Sequence, residues 1–244
     1  MRNKFLSGTR PWMALLAATV FLFVAGHAAA HSLPPEILAK LSVGAGDSGA
    51  QGQPILISPF QLTAATYVIL GFEHILPLGL DHILFILGLF LLSREVKPLI
   101  LQVSAFTVAH TLTLGMTMYG VISPPARIVE PLIALSICYI AVENILTSEL
   151  KPWRPVVIFG FGLLHGMGFA GVLGELGMPE DSFLNALISF NIGVELGQLF
   201  VIGVAYVCLR LLYAFPWYRP FVVEPASLAI AAIGAYWTVE RVLA

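Results

Sequence analysis

The sequence predicts an all-α polytopic membrane protein, with about six transmembrane helices after a cleavable signal peptide and a first span broken near Pro77 and Gly79. Three observations predict it. Of 244 residues, 58% are hydrophobic and 11% charged, with a mean hydropathy of +0.90, whereas soluble domains carry charge on about a quarter of their residues. Charges and prolines divide the chain beyond residue 60 into apolar runs, most of them the length of one bilayer crossing. The 12 basic and 14 acidic residues are scattered rather than clustered, which sets aside nucleic-acid binding and polybasic lipid recognition. Cys138 and Cys208 lie inside apolar runs and offer neither a disulfide framework nor a zinc-finger spacing.

Residues 1–30 have the three parts of a secretory signal: Arg2, Lys4 and Arg10, then the apolar run Trp12 to Gly26, then the small residues Ala28, Ala29 and Ala30. Cleavage after Ala30 would leave His31 as an exported amino terminus; an uncleaved first span is the alternative. Residues 31–59, with Gly44, Gly46, Gly49, Gly52, Pro34, Pro35 and Pro54, read as an exported flexible linker. Residues 60–244 form the helical transmembrane domain, in segments at about 60–93, 98–120, 127–148, 155–175, 183–210 and 220–242. The last five match a core of about 30 Å at roughly 1.5 Å per residue. The first is too long for one upright span and contains Pro77 and Gly79, so a partly inserted helix, a bend and a span reaching Ser93 are expected. One set of loops holds Arg94, Lys97, Lys151, Arg154, Arg210 and Arg219, and the other only Lys40, Arg127 and Arg241. By the positive-inside rule the first set is cytoplasmic, with the mature amino terminus and Ala244 both exported.

Polar residues at mid-span carry the functional signal. A charge at the bilayer centre costs at least about 2.5 kcal/mol, so such groups are rare and face a partner or a wet cavity. His110, His165 and Glu195 fall near the centres of their segments, and Asp81 and His82 do so if the first span begins near residue 70. Asn191, Glu195 and Gln198, spaced four and three apart, line one helical face. Thr107, Thr111 and Thr113 accompany His110. Glu130 and Glu224, close to loops, read as solvated helix ends. Gly160, Gly162, Gly166 and Gly168 on the fourth segment and Gly193 and Gly197 on the fifth suit close helix packing. If those two helices pack on each other, His165 and Glu195 come within reach.

Imidazole and carboxylate without thiolate suit borderline divalent metals such as nickel, cobalt or zinc; the same groups suit proton relay. A histidine hydrogen-bonded to a neighbouring helix is the plainer use of each. Asp81 and His82 beside a break are the strongest case, since broken helices at the midplane hold ions in transporters.

The run Gly71-Phe72-Glu73-His74-Ile75-Leu76-Pro77-Leu78-Gly79-Leu80-Asp81-His82-Ile83-Leu84-Phe85 resembles the histidine/aspartate signature of the HupE/UreJ membrane proteins. Similar later motifs are Ala105 to Thr113 around His110, Phe161 to Ala170 around His165, and Phe190 to Gln198 around Glu195. The resemblance covers about residues 60–210. Six residues separate His74 from Asp81 where the shorter HupE-type signature has five, so the chain resembles the second branch of the family. The resemblance implies a nickel or cobalt permease linked to nickel enzymes such as hydrogenase and urease, with His74, Asp81, His82, His110, His165 and Glu195 at the metal site.

The leading expectation is therefore uptake of a divalent transition metal, and not catalysis. No nucleotide-binding motif is present, so ATP hydrolysis would need another chain. Expected partners are the lipid bilayer and the metal ion; a homo-oligomer is left open. Two readings from other classes stand beside it. One is an intramembrane zinc hydrolase using metal-bound water, and the other a structural or assembly protein accessory to a nickel enzyme.

Overall fold

The computed structural model describes residues 59–93, 95–176 and 182–244. The predicted signal peptide and nearly all of the linker, including His31, lie outside them, as does Arg94. Seven α-helices follow in order: α1 Pro59–Ile75, α2 Leu80–Leu92, α3 Val96–Met118, α4 Ala126–Leu146, α5 Arg154–Leu176, α6 Phe183–Leu209 and α7 Glu224–Leu243, the last preceded by a π-helical turn at Arg219–Val223. No strand occurs among the described residues. The chain is a helical membrane protein. Four stretches are long and apolar enough to cross a bilayer, and α1 and α2 together, bent by 71° at their junction, make a fifth; α5 carries the shorter apolar helix Arg154–Phe169.

The break falls where Pro77 and Gly79 predict it. Pro77 has no N–H to give, and the remaining groups are satisfied locally. Leu78 donates to the Glu73 carbonyl at 3.3 Å, Gly79 to Ile75 at 3.2 Å, and Ile83 to Gly79 at 2.9 Å. That local closure lets irregular backbone sit inside a membrane domain. A Cβ on Gly79 would strike the carbonyl oxygen of His74, so only glycine allows the chain to turn this tightly between His74 and Asp81.

Three helix pairs dominate the packing: α1 with α6, α3 with α5, and α4 with α7. Small residues set each contact. Gly193 lies against the backbone of Val68 and Phe72, and Gly71 against that of Phe190. Gly162 and Gly166 lie on the carbonyls of Phe106 and His110, while Gly234 meets the backbone of Cys138. The glycine faces of the fourth and fifth predicted segments thus mate with α3 and α1, not with each other, which corrects the expected approach of His165 to Glu195.

The same contacts fix helix sense. Residues 68, 71 and 75 of α1 meet 193, 190 and 197 of α6, so these two run the same way. Gly162 and Gly166 meet residues 106 and 110, so α3 and α5 also run alike. Ser104 and His110 bond to Glu195 and Asn191, making α3 opposite to α6. In α4, residues 136 and 143 meet 165 and 154 of α5 in opposite sense, and 144 and 130 meet 227 and 241 of α7 likewise. Sense therefore alternates along α1, α3, α4, α5, α6 and α7.

Candidate metal site in the helix bundle

Four histidine rings meet where the break faces the bundle. His74 ends α1, His82 begins α2 two residues beyond Leu80, His110 comes from α3 and His165 from the middle of α5. Their exposures are 9, 3, 0 and 1%, respectively. Ring centroids are 4.6 Å apart for His74 and His82, 4.8 Å for His82 and His165, and 5.9 Å for His82 and His110. His74, His82 and His110 each offer a ring nitrogen within 4.8 Å of the other two. Three points so spaced lie within about 2.8 Å (4.8/√3) of a common centre, close to the roughly 2.0–2.1 Å of a metal–imidazole bond.

Hydrogen bonds orient three of the four rings. Asn191 donates its Nδ2 to the Leu187 carbonyl at 2.8 Å, so its Oδ1, 2.9 Å from His110 Nδ1, accepts from that ring. His110 Nε2 is left as a bare lone pair, buried and without a hydrogen-bond partner; His74 Nε2 is likewise buried and unpartnered. His82 Nδ1 donates to Asp81 Oδ1 at 3.1 Å, which also accepts the His82 backbone N–H at 2.9 Å. Ser136 spends its hydroxyl proton on the Ile133 carbonyl at 2.7 Å. Its oxygen then accepts from His165 Nε2 at 3.1 Å. His82 Nε2 and His165 Nδ1 then face each other at 3.4 Å, within hydrogen-bond distance. Asp81, Asn191 and Ser136 hold three rings from outside in the way that second-shell partners orient metal-ligating histidines. The interior gathers ring nitrogens from four histidines, a donor set that suits a borderline divalent cation.

The walls are aromatic. Phe106 is 5.0 Å from His165 and 5.8 Å from His82, and Phe85 is 5.3 Å from His165. On the other side Phe169 stacks on Phe190 at 5.3 Å and reaches His74 at 3.8 Å. Such a shell limits water access to the lone pairs.

Glu195 belongs to a neighbouring network. Ser104 donates to its Oε1 at 2.7 Å, Thr107 donates to its Oε2, and Thr107 also lies 3.0 Å from Gln198 Oε1. Thr107 and His110 are one turn apart on α3, and Asn191 and Glu195 one turn apart on α6, so the two networks are adjacent rungs of one α3–α6 interface. Thr111 turns back to the Thr107 carbonyl at 2.7 Å, and Thr113 bonds to Leu163 at 2.8 Å, serving helix packing. Glu130 is exposed, and Glu224 lies 3.5 Å from Arg219 with its side chain 45% exposed, as the solvated-end reading expects.

Sequence reasoning missed Ser136, Ser104 and Phe106. A lone serine inside the apolar run of α4 was the available signal for Ser136; nothing in spacing singles out Phe106 among 16 phenylalanines. Arg154 was read as a loop charge, yet it opens α5 with its side chain 1% exposed, paired with Glu143 at 3.1 Å. Glu143, near the end of α4, holds that charge inside the fold.

A family model described as HupE/UreJ protein matches residues 53–241. No curated protein and no solved structure matches the chain.

Proposed function

From the premise that the chain belongs to the HupE/UreJ family, membrane metal-transport and accessory proteins rather than an enzyme class, we propose that it passes a divalent transition metal, nickel or cobalt, across the inner membrane. The observation that carries the reading is the convergence of His74, His82, His110 and His165 from four helices, with three of the rings held from outside by Asp81, Asn191 and Ser136. Neutral imidazoles suit borderline divalent ions. With one carboxylate, Asp81, standing behind His82, the site offsets only part of a dication's charge. Conduction requires that kind of moderate retention, since an ion held too tightly does not leave. Glu195, with Ser104 and Thr107, is the next station along the α3–α6 interface.

We count six crossings, taking α1 with α2 as one and α5 as another, and by the positive-inside rule assign the Lys151 loop to the cytoplasm and both ends of a cleaved chain to the outside. A functional link to hydrogenase or urease follows from the same reading.

The test is accumulation of labelled nickel or cobalt by cells producing the full chain. His82→Ala is expected to reduce accumulation to the level of cells without the protein, at equal amounts of protein in the membrane. Equal accumulation in wild type and variant would overturn the transport reading. A stoichiometric zinc that survives purification would favour the hydrolase instead, and wild-type function after alanine replacement of His82, His110 and His165 would favour the assembly role.

A further inference from the structure

At the end of the bundle where α2 and α4 finish and α3 and α5 begin, a cavity of about 760 Å³ is lined by Gln102, Lys151, Arg154 and Arg219, with Glu95 and Leu101 among the remaining walls. It is separate from the histidines, because Arg154 stands eleven residues before His165, about 16 Å along α5 at 1.5 Å per residue.

Arg154 is the informative group. Its side chain is 1% exposed and its Nε lies 3.1 Å from Glu143 Oε2, yet neither Nη1 nor Nη2 has a hydrogen-bond partner. A guanidinium carries five N–H donors in a fixed fork, and a buried donor without an acceptor is costly. Gln102, 2% exposed, donates to the Pro98 carbonyl at 3.0 Å. Arg219 is fixed by the carbonyls of Asn144 and Thr147, each at 3.0 Å, and sits 3.5 Å from Glu224. Lys151 meets Glu149 at 3.1 Å in an exposed pair, which water and salt weaken. Of the charged residues lining the cavity, three are basic and only Glu95 is acidic. The positive end of the α5 dipole adds to them.

We propose that this cavity binds a phosphate group, with the free fork of Arg154 as the bidentate contact and Lys151 as the mobile charge at its rim. Arginine pairs with phosphate through two parallel N–H bonds, and basic pockets between membrane helices take anionic lipid headgroups. Leu101, 60% exposed on the outer surface of α3, gives an acyl chain an apolar surface beside the pocket. The phosphate is therefore that of an acidic phospholipid or a free anion from solution, and the two differ in what binds.

The full-length protein in neutral detergent is titrated with micelles containing phosphatidylglycerol, with phosphatidylcholine, and separately with inorganic phosphate, following its thermal unfolding midpoint. Phosphatidylglycerol is expected to raise the midpoint where phosphatidylcholine does not. Its half-saturating fraction should increase about fivefold in Lys151→Gln, the loss of one basic contact, and stay unchanged in Lys97→Gln, which removes an exposed charge at the same end of the bundle but outside the cavity. Arg154→Lys keeps the pairing with Glu143 and loses the fork, so it should weaken the response further; Lys151→Gln decides the matter if that variant does not fold. An equal response to inorganic phosphate alone assigns the site to a free anion. No preference for phosphatidylglycerol together with no response to phosphate, or equal effects of Lys151→Gln and Lys97→Gln, would overturn the proposal.

Discussion

At the scale of single residues, the groups that orient the site are the hydrogen-bond partners behind its histidines. Asp81, Asn191 and Ser136 each accept an N–H from a histidine and so turn the opposite nitrogen inward. Asp81→Asn keeps the size of the side chain and removes the charge, and second-shell changes of this kind cost about 10–100-fold in metal affinity. Equilibrium binding of nickel to the purified variant should therefore weaken by that factor, while its helical content is unchanged; wild-type affinity would remove Asp81 from the site. Position along a span gives an expected height for Asp81, His82, His110, His165 and Glu195, while His74 enters by resemblance alone. Direction around the helix axis was not legible in the sequence. That is why Glu195, at the right height, is bound to Ser104 and Thr107 on the next rung and not to His165.

At the scale of elements, the break and the glycines do different work. Pro77 and Gly79 announced the bend from sequence alone, because proline lacks a donor and glycine permits the close turn. Partner choice among helices left no such mark: a glycine shows that something approaches, not what. Gly193 has backbone atoms of both Val68 and Phe72 against it, and neither can yield as a side chain would. Gly193→Val is expected to force α1 from α6 and to destabilise the protein by about 1–3 kcal/mol or more, as overpacking does. Gly203 on the same helix has nothing within 4 Å of an added Cβ, so Gly203→Val should leave the unfolding midpoint in detergent as it was. Equal midpoints for the two variants would count against the packing argument.

For the whole molecule, the distribution of side chains is turned inside out relative to a soluble fold. On α6, Ile188, Ile192, Leu196, Phe200 and Val204 are exposed at intervals of four, while Asn191 and Gln198 are buried. Lipid is the solvent for the first set. A low charged fraction made that environment legible, and the alternating sense of the helices agrees with the parity of the basic loops. A reporter fused after Ala244 should be accessible from outside the cell and one inserted beside Lys151 only from the cytoplasm; the reverse result would invert the proposed direction of uptake. The pairing of α1 with α6 has a consequence for biogenesis. The ribosome makes α1 more than a hundred residues before α6, an interval of several seconds to tens of seconds at about 5–20 residues per second. Until then His74 lacks Phe190, and His110 lacks Asn191. The four histidines thus acquire their full set of neighbours only when synthesis is nearly done.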